Sequence, residues 1–216
     1  MILKKYRYYF CLLFVISFAQ TYSQSLGIVY EASPFNVNGF YNSRDYSRGM
    51  IKNIFISFNG YLNDSFQLSF KVGYGWNIHK YSFKSGIDES LTEDITSGIP
   101  FECEVKYQHF MEKDSVFEPL IGIGIGYYNY NTTHKSTSGS NKYSTDYSTE
   151  GLGQYIVFGL NIHMSNRVTS SIQFKKIMIH SITTECEVEG YTYKVDYGQQ
   201  NGFNDLGILF GVYYNL

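Results

Sequence analysis

From Phe66 to His79 the chain reads FQLSFKVGYGWNIH, with large apolar residues on alternate positions: Phe66, Leu68, Phe70, Val72, Tyr74, Trp76 and Ile78. Gln67, Ser69, Lys71, Gly73, Gly75, Asn77 and His79 fill the places between. Successive side chains of a β-strand point to opposite faces, so this period of two predicts one apolar and one polar face; a helix would mix the two classes. The run exceeds the roughly five or six residues of an ordinary globular strand. It suffices for a strand crossing a bilayer at a tilt, which takes roughly 9 to 11 residues.

The alternation recurs along the chain. It predicts strands at about 25–32, 51–61, 66–79, 98–110, 117–130 and 151–164, another from about 168, and a last one ending the chain as NDLGILFGVYYNL. After Lys175 and Lys176 the apolar phase moves to Ile177 and Ile179, which predicts a bulge. In LIGIGIGYY, Gly122, Gly124 and Gly126 share one face, which predicts crowding on that side. The connections LNDS, MEKDS and MSNR are short, whereas 33–50, 84–97, 131–149 and 181–203 read as long polar loops rich in Ser, Thr, Asn, Gly and Tyr. Short and long connections alternate strictly, as in transmembrane barrels with short turns at one end and long loops at the other.

Chemistry assigns the two faces. The central outward positions are apolar and free of charge, while the opposite face carries Lys71, Glu102, Glu104 and Lys106. A soluble barrel would reverse this pattern, and a lipocalin-like protein follows if the assignment is inverted. Facing lipid, a closed barrel satisfies every backbone hydrogen bond where water is absent. The expected fold is therefore all-β, an eight-stranded antiparallel up-and-down transmembrane β-barrel. Tyr61, Tyr74, Trp76, Tyr107, Tyr127 and Tyr214 stand at strand ends, where aromatic girdles form.

The N-terminus changes the picture next. Lys4, Lys5 and Arg7 precede an apolar run from Cys11 to Phe18, too short for a membrane helix and suited to a secretory signal over 1–23, with cleavage after Ala19 or Ser23. The barrel then occupies 24–216. The 22 Tyr and 17 Phe, against 3 Pro, favour strands. A formal net charge of −2 offers no basic footprint for nucleic acid. Cys103 is expected on an outward face and Cys186 beyond the membrane, too far apart for a disulfide.

Two local features carry a family resemblance covering the whole mature chain. PLIGIGIGYY, 119–128, is similar to the Pro-x-x-Gly-x-Gly-x-Gly-Tyr strand of the small eight-stranded outer-membrane β-barrel proteins of Gram-negative bacteria, the porin-like outer membrane protein β-barrel group. The terminal GVYYNL resembles the signal read by the barrel-assembly machinery: Gly211, Tyr214 and Leu216 fit, although Leu216 replaces the usual Phe and Leu209 stands where a polar residue is commoner. The resemblance implies the cell outer membrane as location. It also implies contact with outer-membrane lipid and lipopolysaccharide, assembly through the C-terminal strand, and a monomer.

Catalysis finds little support. Lipid A deacylases on such barrels use a His-x-Ser-Asn arrangement; here His134, Lys135 and Ser136 are followed by Thr137, and His180 is followed directly by Ser181. No enzyme is expected. The histidines, His79, His109, His134, His163 and His180, are scattered without ligand spacing, so neither a metal nor a cofactor is expected. Lys71, Glu102, Glu104, Lys106 and Lys175 would line the lumen, which in an eight-stranded barrel is filled by side chains. Tyr41, Tyr46, Tyr143, Tyr147, Tyr191, Tyr193 and Tyr197 lie among small polar residues, a composition suited to rigid aromatic contacts with an extracellular partner. ECEVEGYTYKVDY, 185–197, reads as a hairpin whose edge could take a partner strand. The expected role is thus structural or surface-interacting, with lipid modification or narrow conduction as alternatives.

Overall fold

A computed structural model describes residues 24–35, 49–85, 88–108, 115–138, 141–188, 191–198 and 206–216. The signal over 1–23, Tyr41, Tyr46 and His109 lie outside the described residues. The described chain is all β: β1 (Gln24–Phe35), β2 (Gly49–Tyr61), β3 (Phe66–Ser85), β4 (Asp88–Gly98), β5 (Phe101–Gln108), β6 (Phe117–Ser138), β7 (Asn141–His163), β8 (Val168–Val188), β9 (Tyr191–Gly198) and β10 (Leu206–Asn215).

Every ladder is antiparallel. The strands follow the order β10-β1-β2-β3-β4-β6-β7-β8-β9, with β5 in line with β4 between β3 and β6. β10 pairs with both β1 and β8, so the ladders return to the strand from which they set out. Ten strands replace the expected eight, for two reasons. β4 and β5 both pair with β3 and β6, separated at Ile99–Pro100, because a proline has no N–H for the ladder. Likewise β9 pairs with β8 over Ser181–Val188 and β10 with β8 over Val168–Lys176.

The long loops are also corrected. Segment 84–97 contains most of β4, 131–149 supplies the ends of β6 and β7, and 181–203 contains the end of β8 and all of β9. Their Thr, Tyr, Val and Ile favour extended backbone, but both faces are polar there and the alternation no longer shows. At the opposite end the described turns, 62–65 and 164–167, are tight. Asn63 accepts the N–H groups of Ser65 and Phe66 at 2.9 Å each, closing the turn between β2 and β3.

One phase reading is overturned. Ile177 is buried in step with Gln173 and Lys175, and Lys176 faces outward, so the alternation runs unbroken past the lysines. The irregularity lies higher: Leu152 pairs with Ser181 and Gly153 with Ile179, which leaves His180 as the extra residue of a bulge.

Between the short turns and about the level of Trp76, one face of the sheet is apolar and exposed, the other polar and buried. Ile123 is 67% exposed and Lys71 1%. Ile54, Ile56, Ile121, Ile125, Phe158, Phe210 and Val212 belong to the first face; Ser57, Ser69, Glu102, Gln173 and Lys175 to the second. Two small apolar clusters sit among the buried polar groups: Val29, Phe55, Leu209 and Tyr213, and Ile51, Tyr128, Tyr130, Tyr155 and Ile177.

Candidate functional site

The buried face converges on a chain of alternating charges. Lys175 of β8 lies 2.6 Å from Glu31 of β1 and 2.6 Å from Glu102 of β5. Lys71 of β3 lies 3.1 Å from Glu102 and 3.0 Å from Glu104. Lys106 completes the chain at 2.9 Å from Glu104. Three lysines and three glutamates thus alternate, Glu31–Lys175–Glu102–Lys71–Glu104–Lys106, with formal charges that cancel. Each has a side chain at most 2% exposed.

Aromatic rings hold this chain in place. Tyr128 donates to Glu102 at 3.0 Å and Tyr155 donates to Glu104 at 3.1 Å. Lys71 and Lys175 both lie over the rings of Phe55 and Tyr155, and Lys106 over Tyr213, at 5.2–5.8 Å from the centroids. A cation over an aromatic face gains from the ring quadrupole, more so when desolvated. The glycines of β6 make room for the rings. A Cβ at Gly124 would collide with the Tyr155 ring, and one at Gly126 would meet the Tyr128 ring at 2.5–2.7 Å.

Alternation along the strands places these groups together. Lys71 in β3 is in register with Glu102 in β5, and Ser69 with Glu104, so the inward charges of the two strands meet in one polar cluster. Lys71, Glu102, Glu104 and Lys106, singled out from the sequence, are thus brought into contact. Glu31, Tyr128 and Tyr155 complete the arrangement and were not singled out. Their phase was the available signal: Glu31 shares a face with Gly27 and Val29, opposite Leu26, Ile28 and Tyr30.

Below and above the charges the buried face remains polar. Toward the short turns, Asn161 donates to Glu118 at 3.0 Å, His163 approaches Glu118 at 3.4 Å, and Gln108 donates to Gln67 at 3.3 Å. Toward the other end, Tyr130 donates to Asn53 at 3.2 Å and the hydroxyls of Thr96 and Thr132 are 2.9 Å apart. Further up, His134 lies 2.6 Å from Asp94 and against the edge of Tyr147. Tyr143 is 62% exposed, Tyr147 half-buried, and Tyr191, Tyr193 and Tyr197 occupy alternate positions of β9. Cys103 is a free thiol on the outward face, in register with Phe70 and Ile125. Among the described residues, no group of three or more His, Cys, Asp or Glu side chains could hold a metal ion.

No family model matches the chain, and no curated protein matches it. Solved structures similar to it include a major outer membrane protein from Thermus thermophilus, at 10% identity over 89% of this chain and 99% of that one, with a TM-score of 0.49. The N-terminal β-barrel domain of Pseudomonas aeruginosa OprF is similar at 11% identity, over 91% of this chain and all of that one, with a TM-score of 0.43. Acinetobacter baumannii CarO is similar at 8% identity, over 92% of this chain and 99% of that one, with a TM-score of 0.43.

Proposed function

We propose that the chain is an integral outer-membrane protein, a transmembrane β-barrel of eight ladder positions in which β4 with β5, and β9 with β10, each share one. The observation that carries this reading is the inversion of the two faces: apolar residues exposed outside, charges buried and paired within. Outside water this is the arrangement of lowest free energy, because lipid accepts the apolar face and a ring of ladders leaves no backbone group unpaired. Residues 1–23 act as a secretory signal. β10, with Gly211, Tyr214 and Leu216, engages the barrel-assembly machinery, and the ring inserts as a monomer in contact with outer-membrane lipid and lipopolysaccharide.

The six-charge chain plugs the lumen, so the role is structural and surface-interacting and does not include conduction. Beyond the membrane, β3, β4, β6, β7, β8 and β9 continue as a raised sheet that offers Tyr143, Tyr147, Tyr191, Tyr193 and Tyr197 to an extracellular partner. β9 ends the strand order, which supports capture of a partner strand along its edge. The test is to isolate outer membranes from cells expressing the whole chain and compare boiled with unboiled samples by mobility in SDS. A band in that fraction that shifts on heating is expected, with no conductance in planar bilayers. A soluble, unshifted product overturns the membrane reading, and steady single-channel current overturns the plug.

A further inference from the structure

Two lysines stand apart from every other charge in the apolar zone. Lys52 of β2 and Lys176 of β8 are exposed on the outward face. Lys52 is in register with Ala32 and Trp76, and Lys176 with Ile156 and Leu206. Neither has an ion pair among the described residues. Higher on the described strands, outward carboxyl groups are already engaged: Glu93 with Lys80 at 2.7 Å, Glu150 with Tyr127 at 2.9 Å and Asp146 with Thr133 at 2.8 Å.

The position is that of a membrane boundary. Trp76, the register partner of Lys52, stacks on Tyr74 with ring centroids 6.3 Å apart, and tryptophan and tyrosine collect at headgroup level. A lysine there lays its stem along apolar neighbours and extends its ammonium group to the interface. Between the two lysines run β10 and β1, whose Leu206, Ile208, Phe210, Leu26 and Ile28 form an exposed strip. Three strand spacings separate the lysines laterally, roughly 14 Å. Such a strip takes several acyl chains, and an anionic group at each margin would complete it.

Resting on the membrane reading above, we propose that Lys52 and Lys176 bind the phosphate groups of an outer-leaflet glycolipid whose acyl chains cover the β1–β10 strip. Charge complementarity selects phosphate, and the width between the lysines selects a multi-chain glycolipid over a two-chain phospholipid. The contact anchors the protein at a fixed depth.

The test uses the whole chain folded into vesicles containing a phosphorylated glycolipid, its dephosphorylated form, or phosphatidylglycerol, followed by extraction in mild detergent and counting of retained lipid by mass spectrometry. The wild type is expected to retain the phosphorylated glycolipid over the dephosphorylated form by roughly fivefold per lysine, the gain of a cation at an anionic membrane surface. Lys52→Gln with Lys176→Gln removes the preference, and Lys52→Arg with Lys176→Arg keeps it. Equal retention of both glycolipids by the wild type, an unchanged preference in the double Gln variant, or equal retention of phosphatidylglycerol overturns the proposal. Heat-dependent mobility in SDS is read in every sample. Its presence beside a lost preference leaves the membrane reading standing, and its absence in the wild type removes both.

Discussion

β6 contains two halves of one strand that differ most in the residues they turn outward. From Phe117 to Tyr127 its outward residues Ile121, Ile123 and Ile125 are apolar; from Asn129 to Lys135 they are Asn129, Asn131, Thr133 and Lys135. The inward face stays polar or glycine-rich throughout, with Gly122, Gly124 and Gly126 giving way to Tyr130, Thr132 and His134. Backbone and pairing with β7 continue unbroken across the change. The ladder is thus indifferent to the surroundings, and the outward face records them. The inward charges differ in another way: Lys71 and Glu102 are sealed at 1% and 0% exposure, while the higher Asp94 and His134 remain 13% and 27% exposed.

Sealing determines what a lost charge costs, and the largest expected effect follows from it. Glu102 accepts from Lys71, Lys175 and Tyr128. Glu102→Gln leaves two buried lysines short of a carboxylate, and breaking a buried pair in this way costs about 3–5 kcal/mol. Urea unfolding in vesicles measures it. Adding Lys175→Met to Glu102→Gln is expected to restore part of the loss, because one of the stranded cations is then removed. If Glu102→Gln proves neutral, the inner face is wet and the contrast between the halves of the strand disappears.

The second effect separates the halves directly. Ile123 lies near the middle of the apolar run of β6, and Asn131 stands four outward positions higher on the same strand. Ile123→Arg is expected to destabilise by about 2–4 kcal/mol, the cost of arginine at the bilayer midplane. Asn131→Arg is expected to stay within about 0.5 kcal/mol, as for an ordinary surface substitution. Equal costs in the same unfolding experiment would mean that both positions face one solvent.

These contrasts also mark what the sequence made legible. Where one face is apolar and the other polar, alternation located the strands, as at Phe66 to Ile78. Above the apolar zone β4 was invisible, because LTEDITSG sets only Leu91 and Ile95 among polar residues and a period of two carries little contrast. Lys71, Glu102, Glu104 and Lys106 were legible as one polar face, since β3 and β5 are neighbours in a hairpin-like register. Glu31 was not, because it meets Lys175 across 144 positions of sequence, a proximity created by the pairing of β10 with both β1 and β8. The glycines of β6 announced crowding, but the rings responsible belong to Tyr155 on the neighbouring strand and Tyr128 on their own.

The smallest effect belongs to the exposed counterpart of the inner pairs. Lys80 donates to Glu93 at 2.7 Å, and this hydrogen bond holds the Glu93 carboxyl below its usual range. The folded state therefore holds the proton less tightly than the unfolded chain. Whatever stability the pair contributes is present at neutral pH and is lost as the pH falls through the folded value, on the acid side of the usual carboxylate range. The Lys80 side chain is 61% exposed, so water and salt screen the contact. Glu93→Gln should lower the urea midpoint slightly at neutral pH, less in high salt, and the variant and wild type should converge in acid. A loss as large as that of Glu102→Gln would place Glu93 in a sealed interior, and the difference between the two halves of the sheet would then have to be sought in something other than access to water.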